Sequence, residues 1–459
     1  MKNRKKQNTT KLALIAGAAA LAALTPQAHA QSSDALIDKL VDKGILTSDE
    51  AKDLRVESDN DFKTALQAKT GMPDWVTAYK IYGSFRGRFE QFSGNNPAAV
   101  TKTRERYRLF FGITVSMQDN LETGFRLGSG DTKGSAAQGN PLSQNSTMGN
   151  NWSDKGLYVD LAYGKWTPIN GGDWTVSTTF GKMERDVVFG NSTWMIIDPD
   201  LTPEGGAVQA TYAINNKNSL TMTGAGLVLA SGISGTTHQP TMFGGQMAWN
   251  ANWTDKWSSM LGASFFSIVS PQQLSNANVT QINQGNTRYT FGPHIGAPIY
   301  NFNPIIGDAS VTYLMDTFPF YAGNCPIMFK GEGMHNPGAP KNNDGYWVGA
   351  TLGKAGAKHT WDLSYRYEYL EADAWYDQLE DDDNCAYYQN APTSSGGSSG
   401  YVGGTNIKGN LIKIDYSITD SVMFSASCYL NSLINPSVNG TTEHQSDAMH
   451  FFADIMLKF

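Results

Sequence analysis

From residue 79 onward the chain alternates between apolar and polar positions. Tyr79, Ile81, Phe85 and Phe89 are apolar, while Lys80, Ser84, Arg86, Arg88 and Glu90 fill the intervening sites. That is the period of a β-strand with one greasy and one wet face. The next run sets Arg104, Arg106 and Arg108 on one face and Tyr107, Leu109, Phe111, Ile113, Val115 and Met117 on the other. The pattern recurs at 121–128, 157–166, 174–183, 207–214, 220–230, 242–253, 257–269, 308–316, 327–336, 346–354, 361–370, 407–418, 422–433 and 449–459. It predicts an all-β chain of about 16 strands, within the range of transmembrane barrels.

The connections alternate too. Tight turns rich in Asn, Asp and Gly at 118–120, 169–173, 215–218, 254–256, 354–358 and 419–420 fall between long connections at 129–156, 184–205, 270–307, 371–405 and 434–448, with shorter ones at 93–102 and 231–240. Short turns at one rim and long loops at the other predict a transmembrane antiparallel barrel with its short turns in the periplasm. Trp174, Trp249, Trp253, Trp361, Tyr365, Tyr367 and Tyr369 share the apolar parity, as interfacial girdles require and a soluble β-sandwich does not. The last strand ends on Phe459, with Phe451, Ala453, Ile455 and Leu457 on the same parity. It resembles the terminal signal by which outer-membrane barrels are recognised for insertion.

Before the strands lie two different segments. Residues 1–30 join a basic stretch (Lys2, Arg4, Lys5, Lys6, Lys11) to an apolar run over 12–24 and an Ala28-His29-Ala30 cleavage pattern, so they read as a signal peptide. Residues 31–76 read as a short helical periplasmic segment. Leu36, Ile37, Leu40 and Val41 have helical spacing, Gly44 is a stop, and Thr47 to Glu50 form a fresh cap. Residues 34–57 are a candidate periplasmic or cell-wall contact. The barrel is expected over 77–459.

Composition narrows the function. Only 17% of residues are charged, 11% are aromatic, and Lys plus Arg number 35 against 42 Asp plus Glu. Removing the leader leaves 30 basic against 42 acidic residues, which argues against a nucleic-acid partner. Three scattered cysteines, Cys325, Cys385 and Cys428, suit neither a disulfide scaffold nor a zinc site, and the first two fall on opposite sides of the expected membrane. The histidines are isolated, and the G-x-S-x-G match at 396–400 lies in a Ser/Gly-rich loop without strand–turn–helix context. No enzyme, cofactor or metal is expected. The run Glu380-Asp381-Asp382-Asp383, with Asp377, reads as a solvated acidic loop tip, since it lacks the spaced ligands and turn glycine of a Ca²⁺ loop.

Arginine facing lipid near the midplane costs roughly 2–4 kcal/mol, so the charged parity must face inward. This makes Arg86, Arg88, Arg104, Arg106, Arg108 and Arg126 candidate pore-lining residues, a row of positive charge on three consecutive strands. Lys330, Glu332, Asp362, Arg366, Glu368, Lys413 and Asp415 would line a more balanced wall. In the 184–205 connection, Trp194, Met195, Ile196 and Ile197 form an apolar cluster inside a polar loop, which predicts a loop folded inward. Its acids, Glu184, Asp186, Asp198, Asp200 and Glu204, would then face the arginines as a constriction, setting up a transverse field that tunes ion preference.

LIDKLVDKGILTSDEAKDLR, RGRFE, RERYRLFFGI, DPDLTPEG, GEGMHN and GYWVGATLGKAGAKHTWDLSYRYEYLEADA together resemble the putative porin family of Gram-negative bacteria. The resemblance implies a channel for passive diffusion of small hydrophilic solutes and ions, seated in the lipid of the bacterial outer membrane, and a homotrimer. An adhesin or receptor acting through the long loops is the alternative.

Overall fold

The computed structural model describes Ala51 and residues 73–133, 138–235, 238–391 and 399–459. The leader, and the helical segment expected before residue 73, lie outside the described residues apart from Ala51.

Sixteen strands form one closed antiparallel barrel. They are β1 (Val76–Gly94), β2 (Lys102–Met117), β3 (Leu121–Gly130), β4 (Gly156–Gly171), β5 (Trp174–Lys182), β6 (Glu204–Asn215), β7 (Asn218–Val228) and β8 (Thr241–Asn252), followed by β9 (Trp257–Val269), β10 (Ile305–Met315), β11 (Cys325–His335), β12 (Asp344–Gly353), β13 (Trp361–Leu370), β14 (Ile407–Ser417), β15 (Val422–Leu433) and β16 (Ala448–Lys458). Each strand pairs with its chain neighbours, and β1 pairs with β16 from Ser84↔Lys458 to Gly94↔Ala448. Every expected strand is present.

Closure follows from an unpaired edge being costly where no water can bond it. The chain end completes the seam: Gly83 N–H donates to the Phe459 carbonyl at 2.9 Å and Phe459 N–H donates back to Gly83 at 3.1 Å. At the short-turn rim, β2 and β3 are joined through Asp119 and Asn120 at φ 60° and 58°, a left-handed conformation that Asp and Asn tolerate.

The parity reading holds around the cylinder. Phe85, Phe89, Leu109, Phe111, Leu261, Phe265, Phe329, Val348, Ile412, Phe424 and Leu457 are exposed on the outer face. Their neighbours Arg88, Glu90, Arg106, Ser264, Asp308, Arg366 and Asp454 are buried on the inner one. Aromatic pairs Trp174–Tyr212, Trp257–Tyr313 and Tyr321–Trp361 gather at the short-turn rim. Cys325, Cys385 and Cys428 are all free.

The outward face predicts its own test. Leu261, 60% exposed midway along β9, should tolerate Ala. Leu261→Arg should lower the unfolding free energy of the lipid-inserted barrel by roughly 2–4 kcal/mol, read by denaturant titration in vesicles.

Candidate functional site

The six arginines of β1, β2 and β3 lie on the inner parity, and each has an acidic neighbour. Arg88 grips Asp454 of β16 with two hydrogen bonds of 2.8 and 2.9 Å and reaches Asp383 at 3.3 Å. Arg104 holds both oxygens of Glu90, and Arg106 approaches the same carboxylate at 3.5 Å. Arg108 donates to Asp200 at 2.7 Å, and Arg126 pairs with Asp160 and, at 2.5 Å, with Glu184. Arg86 donates to Asn145 at 2.8 Å and stands 3.9 Å from Asp454. Aromatic faces back the row: Arg88 sits over Phe452 at 3.8 Å, while Arg108 and Arg126 both lie 4.5 Å from Phe110. Six guanidiniums therefore face Glu90, Asp160, Glu184, Asp200, Asp383 and Asp454, so the expected free positive row is a neutralised network. Buried charge of one sign would be too costly to hold otherwise.

The other expected inner residues are also engaged. Lys330 donates to the Asn191 carbonyl at 2.8 Å. Glu332 accepts the amide and hydroxyl of Thr193. Arg366 stacks under Trp194 at 4.9 Å and lies 3.8 Å from Glu368, which accepts Asn384 at 2.8 Å. Lys413 pairs with Asp415 at 2.8 Å, and Asp362 accepts the Ala355 amide at 3.0 Å.

Three connections share one apolar cluster at the long-loop end. Met183, Val188, Phe189, Met195, Ile196 and Ile197 from 183–203 pack with Leu274 and Phe302 from 270–304 and with Ala374, Trp375, Tyr376 and Leu379 from 371–406. Met242, Phe266, Ile306, Met334 and Leu370 on the strands complete it. Hydrogen bonds cross between the segments: the Trp375 indole donates to the Ile196 carbonyl at 2.7 Å, and Asp198 N–H donates to the Leu379 carbonyl at 2.7 Å. Arg288 and Asp377 form a buried ion pair at 2.5 Å, and Thr287 N–H donates to Asp373 at 2.8 Å. Burial, ahead of its bonds to Thr287, pushes the Asp373 carboxyl up to about 6.

Several expectations on these loops need correction. Asp377, Glu380 and Asp381 are buried, so the acidic run is no solvated tip. Trp375, Tyr376 and Leu379 beside it carry it into the apolar cluster, and that flanking pattern was the sequence signal. Among the expected constriction acids, Glu184 and Asp200 meet arginines and Asp198 is buried, as above. Asp186, by contrast, points away, its side chain 79% exposed beside Arg185. Glu204 opens β6 on the outer parity and pairs with Lys182 at 3.0 Å.

Asp198, Asp381 and Asp382 bring carboxylate oxygens within 4.8 Å of one another. Burial, then Asp382, Asp200 and Asp381, holds the Asp198 carboxyl well above the ordinary range. Burial and Asp383 push Asp381 up to about 7. Asp383 goes the other way, because Arg88 and His450 outweigh its burial and lower it. Sequence reading also missed Glu90's role as an anchor, together with Asp160, His450 and Asp454. His450 and Asp454 occupy the wet parity of the last strand, so alternation alone would have found them. Asp160 sits beside a register shift between Arg126 and Leu127 that alternation does not reveal.

The barrel is closed, apolar outside and charged inside. Residues 94–290 match the family described as putative porin. The porin match and the barrel place this chain in the bacterial outer membrane, and they point to a channel rather than an enzyme. A search of curated proteins gives no match. Solved structures with similar coordinates include Pseudomonas putida OprB in its high-pH form, at TM-score 0.47 and 10% identity over 83% of this chain and 94% of that one. An outer-membrane protein of Vibrio cholerae, OmpT lacking loop L8, aligns at TM-score 0.44 and 10% identity over 83% and 99%. A Rh. blastica porin mutant aligns at 0.40 and 10% over 83% and 100%.

The shared cluster predicts that Trp375→Ala loosens the loops without unfolding the barrel. The cavity should cost about 3–5 kcal/mol. Protease cleavage within 371–391 should accelerate, while heat-modifiable mobility of the barrel on gels is unchanged.

Proposed function

We propose that the chain forms a water-filled channel for passive diffusion of small hydrophilic solutes and ions. The observation that carries this is the inner face of a closed barrel, where charge is retained on strand after strand although an apolar filling would be cheaper in lipid. On this reading Arg86, Arg88, Arg104, Arg106, Arg108 and Arg126 line one wall, with Lys330, Glu332, Arg366, Glu368, Lys413 and Asp415 opposite. Residues 183–203 fold inward as a constriction, joined by 371–391. Asp198 and Asp382 enter no ion pair among the described residues. Where they are ionised, they supply the acid side of a transverse field whose other side is Arg106, held only by contacts of 3.3 to 3.5 Å. Such a field orders water and polar solutes and slows apolar ones.

A homotrimer in outer-membrane lipid, and a periplasmic or cell-wall contact through residues 34–57, belong to the same proposal. The alternative, a surface barrel acting as adhesin or receptor, draws on one observation: the apolar cluster spans three long loops.

Planar-bilayer recording separates the two. A steady ohmic conductance with a measurable ion preference supports the channel, and its absence at every voltage removes it. Charge reversal of Arg106 and Arg108 to Glu should shift the reversal potential in a salt gradient toward cations. An unchanged potential would show that these side chains lie away from the narrowest point.

A further inference from the structure

The segment 377–385 is attached at two places whose chemistry depends on protons. The first is His450 on β16, which is 1% exposed and stacked on Phe92 with ring centroids 4.0 Å apart. Its Nε2 lies 2.8 Å from Glu90 Oε1 and its Nδ1 lies 2.8 Å from the Asp383 carbonyl oxygen. A carbonyl only accepts, and Glu90 is held as a carboxylate by Arg104 on both oxygens. Both ring nitrogens must therefore donate, and only the imidazolium has two N–H groups. A neutral ring would aim a lone pair at one of these oxygens, and the contact with the Asp383 backbone is one of the two at risk.

The second attachment is independent of the first. Asp198 from 183–203 meets Asp381 and Asp382 from 371–406 with oxygens within 4.8 Å, and the Asp382 N–H donates to Asp198 at 3.2 Å. Tyr429 donates to Asp381 at 3.2 Å and Arg366 stands 3.6 Å away, so one acid of the three has cationic help nearby. Three carboxylates this close, two of them buried, cannot all be ionised.

We propose that residues 377–385 are a proton-held latch: His450 and the shared carboxylates keep this segment against the barrel wall and the 183–203 loop, and alkaline pH releases it and widens the passage. The widening rests on the channel reading above; the release does not. Both attachments work in the same direction. The carboxyls are held above their ordinary range in the latched form, so their contribution is present at low pH and is lost as pH rises, through about 7 for Asp381 and well above the ordinary carboxyl range for Asp198 and Asp382. The imidazolium contact is likewise lost on deprotonation. Around these groups stand Glu90 and Arg88 from β1, Arg104 and Arg106 from β2, Arg366 and Glu368 from β13, Tyr429 from β15 and Asp454 from β16. From the loops come Asp200, Glu380, Asp383 and Cys385. The arginines keep their charge throughout, so their pull on Asp383 is constant, while ionisation of Glu380 adds repulsion on the alkaline side.

The test uses the full chain in detergent and in planar bilayers between about pH 6 and about pH 9, which spans histidine and raised-carboxyl titration. Amide hydrogen exchange over 377–385, corrected for its chemical rate, should be roughly tenfold faster at the alkaline end, with conductance rising reversibly in step. Asp198→Asn should move both transitions to higher pH. His450→Gln, with no charge and donors on one atom only, should exchange rapidly already at the acidic end. Should that variant fail to assemble, Asp198→Asn decides alone. Corrected exchange that ignores pH overturns the latch and leaves the channel reading standing. A barrel that never conducts but still exchanges with this pH profile removes the channel and keeps the latch. Loosening of the segment by a chelator at the acidic end would show that a cation rather than protons joins the carboxylates, and the proposal falls.

Discussion

Hydrocarbon offers no partner to a peptide N–H or C=O, and that single deficiency organises the whole chain. Strands in lipid must satisfy their backbones with one another, and a row of strands can do so completely only when the first meets the last. The β1–β16 pairing, finished by the Gly83–Phe459 exchange, is therefore the interaction on which everything else depends. Once the cylinder closes, alternate residues have no choice of solvent: one set meets lipid and the other is enclosed.

Enclosure turns charge into a structural problem. Arginines kept off the lipid face cannot stay bare inside, because an isolated buried charge costs several kcal/mol. The chain answers with carboxylates from three sources: adjacent strands (Glu90, Asp160), the closing strand (Asp454) and the loops (Glu184, Asp200, Asp383). The loop acids make the two halves of the design interdependent. A loop that brings Asp200 to Arg108 or Asp383 to Arg88 is pulled toward the wall, and its apolar residues then find one another in the cluster around Trp375. Electrostatic attachment and apolar packing hold the same segments, which is why their removal should loosen loops before strands.

Much of the fold was legible because a β-barrel writes itself into the chain with a period of two. Every strand could be located from the run of Tyr79, Ile81 and Phe85 to that of Phe451, Ala453 and Ile455, and the alternation of turn and loop lengths set which rim each connection occupies. Inner residues such as Arg366 and Lys413 followed from parity alone. Partners did not, because the acid that meets Arg88 lies 366 residues away and the one that meets Arg108 lies 92 away. Glu204 shows the limit of reading a loop by its sign of charge: one residue of strand at the loop's end placed it on the outer face beside Lys182.

What the sequence by itself determined was therefore the class of structure: strand number, the face that meets lipid, and the enclosure of the arginines. These depend on local alternation, which lipid enforces residue by residue. What only the tertiary structure decided was the state of that enclosed charge. Whether Asp381 is a solvated tip or a buried acid beside Asp198 depends on where two loops meet, and no period along the chain encodes that meeting. The free energy of a charge is set by what surrounds it in space, and here the surroundings come from segments that are far apart in sequence.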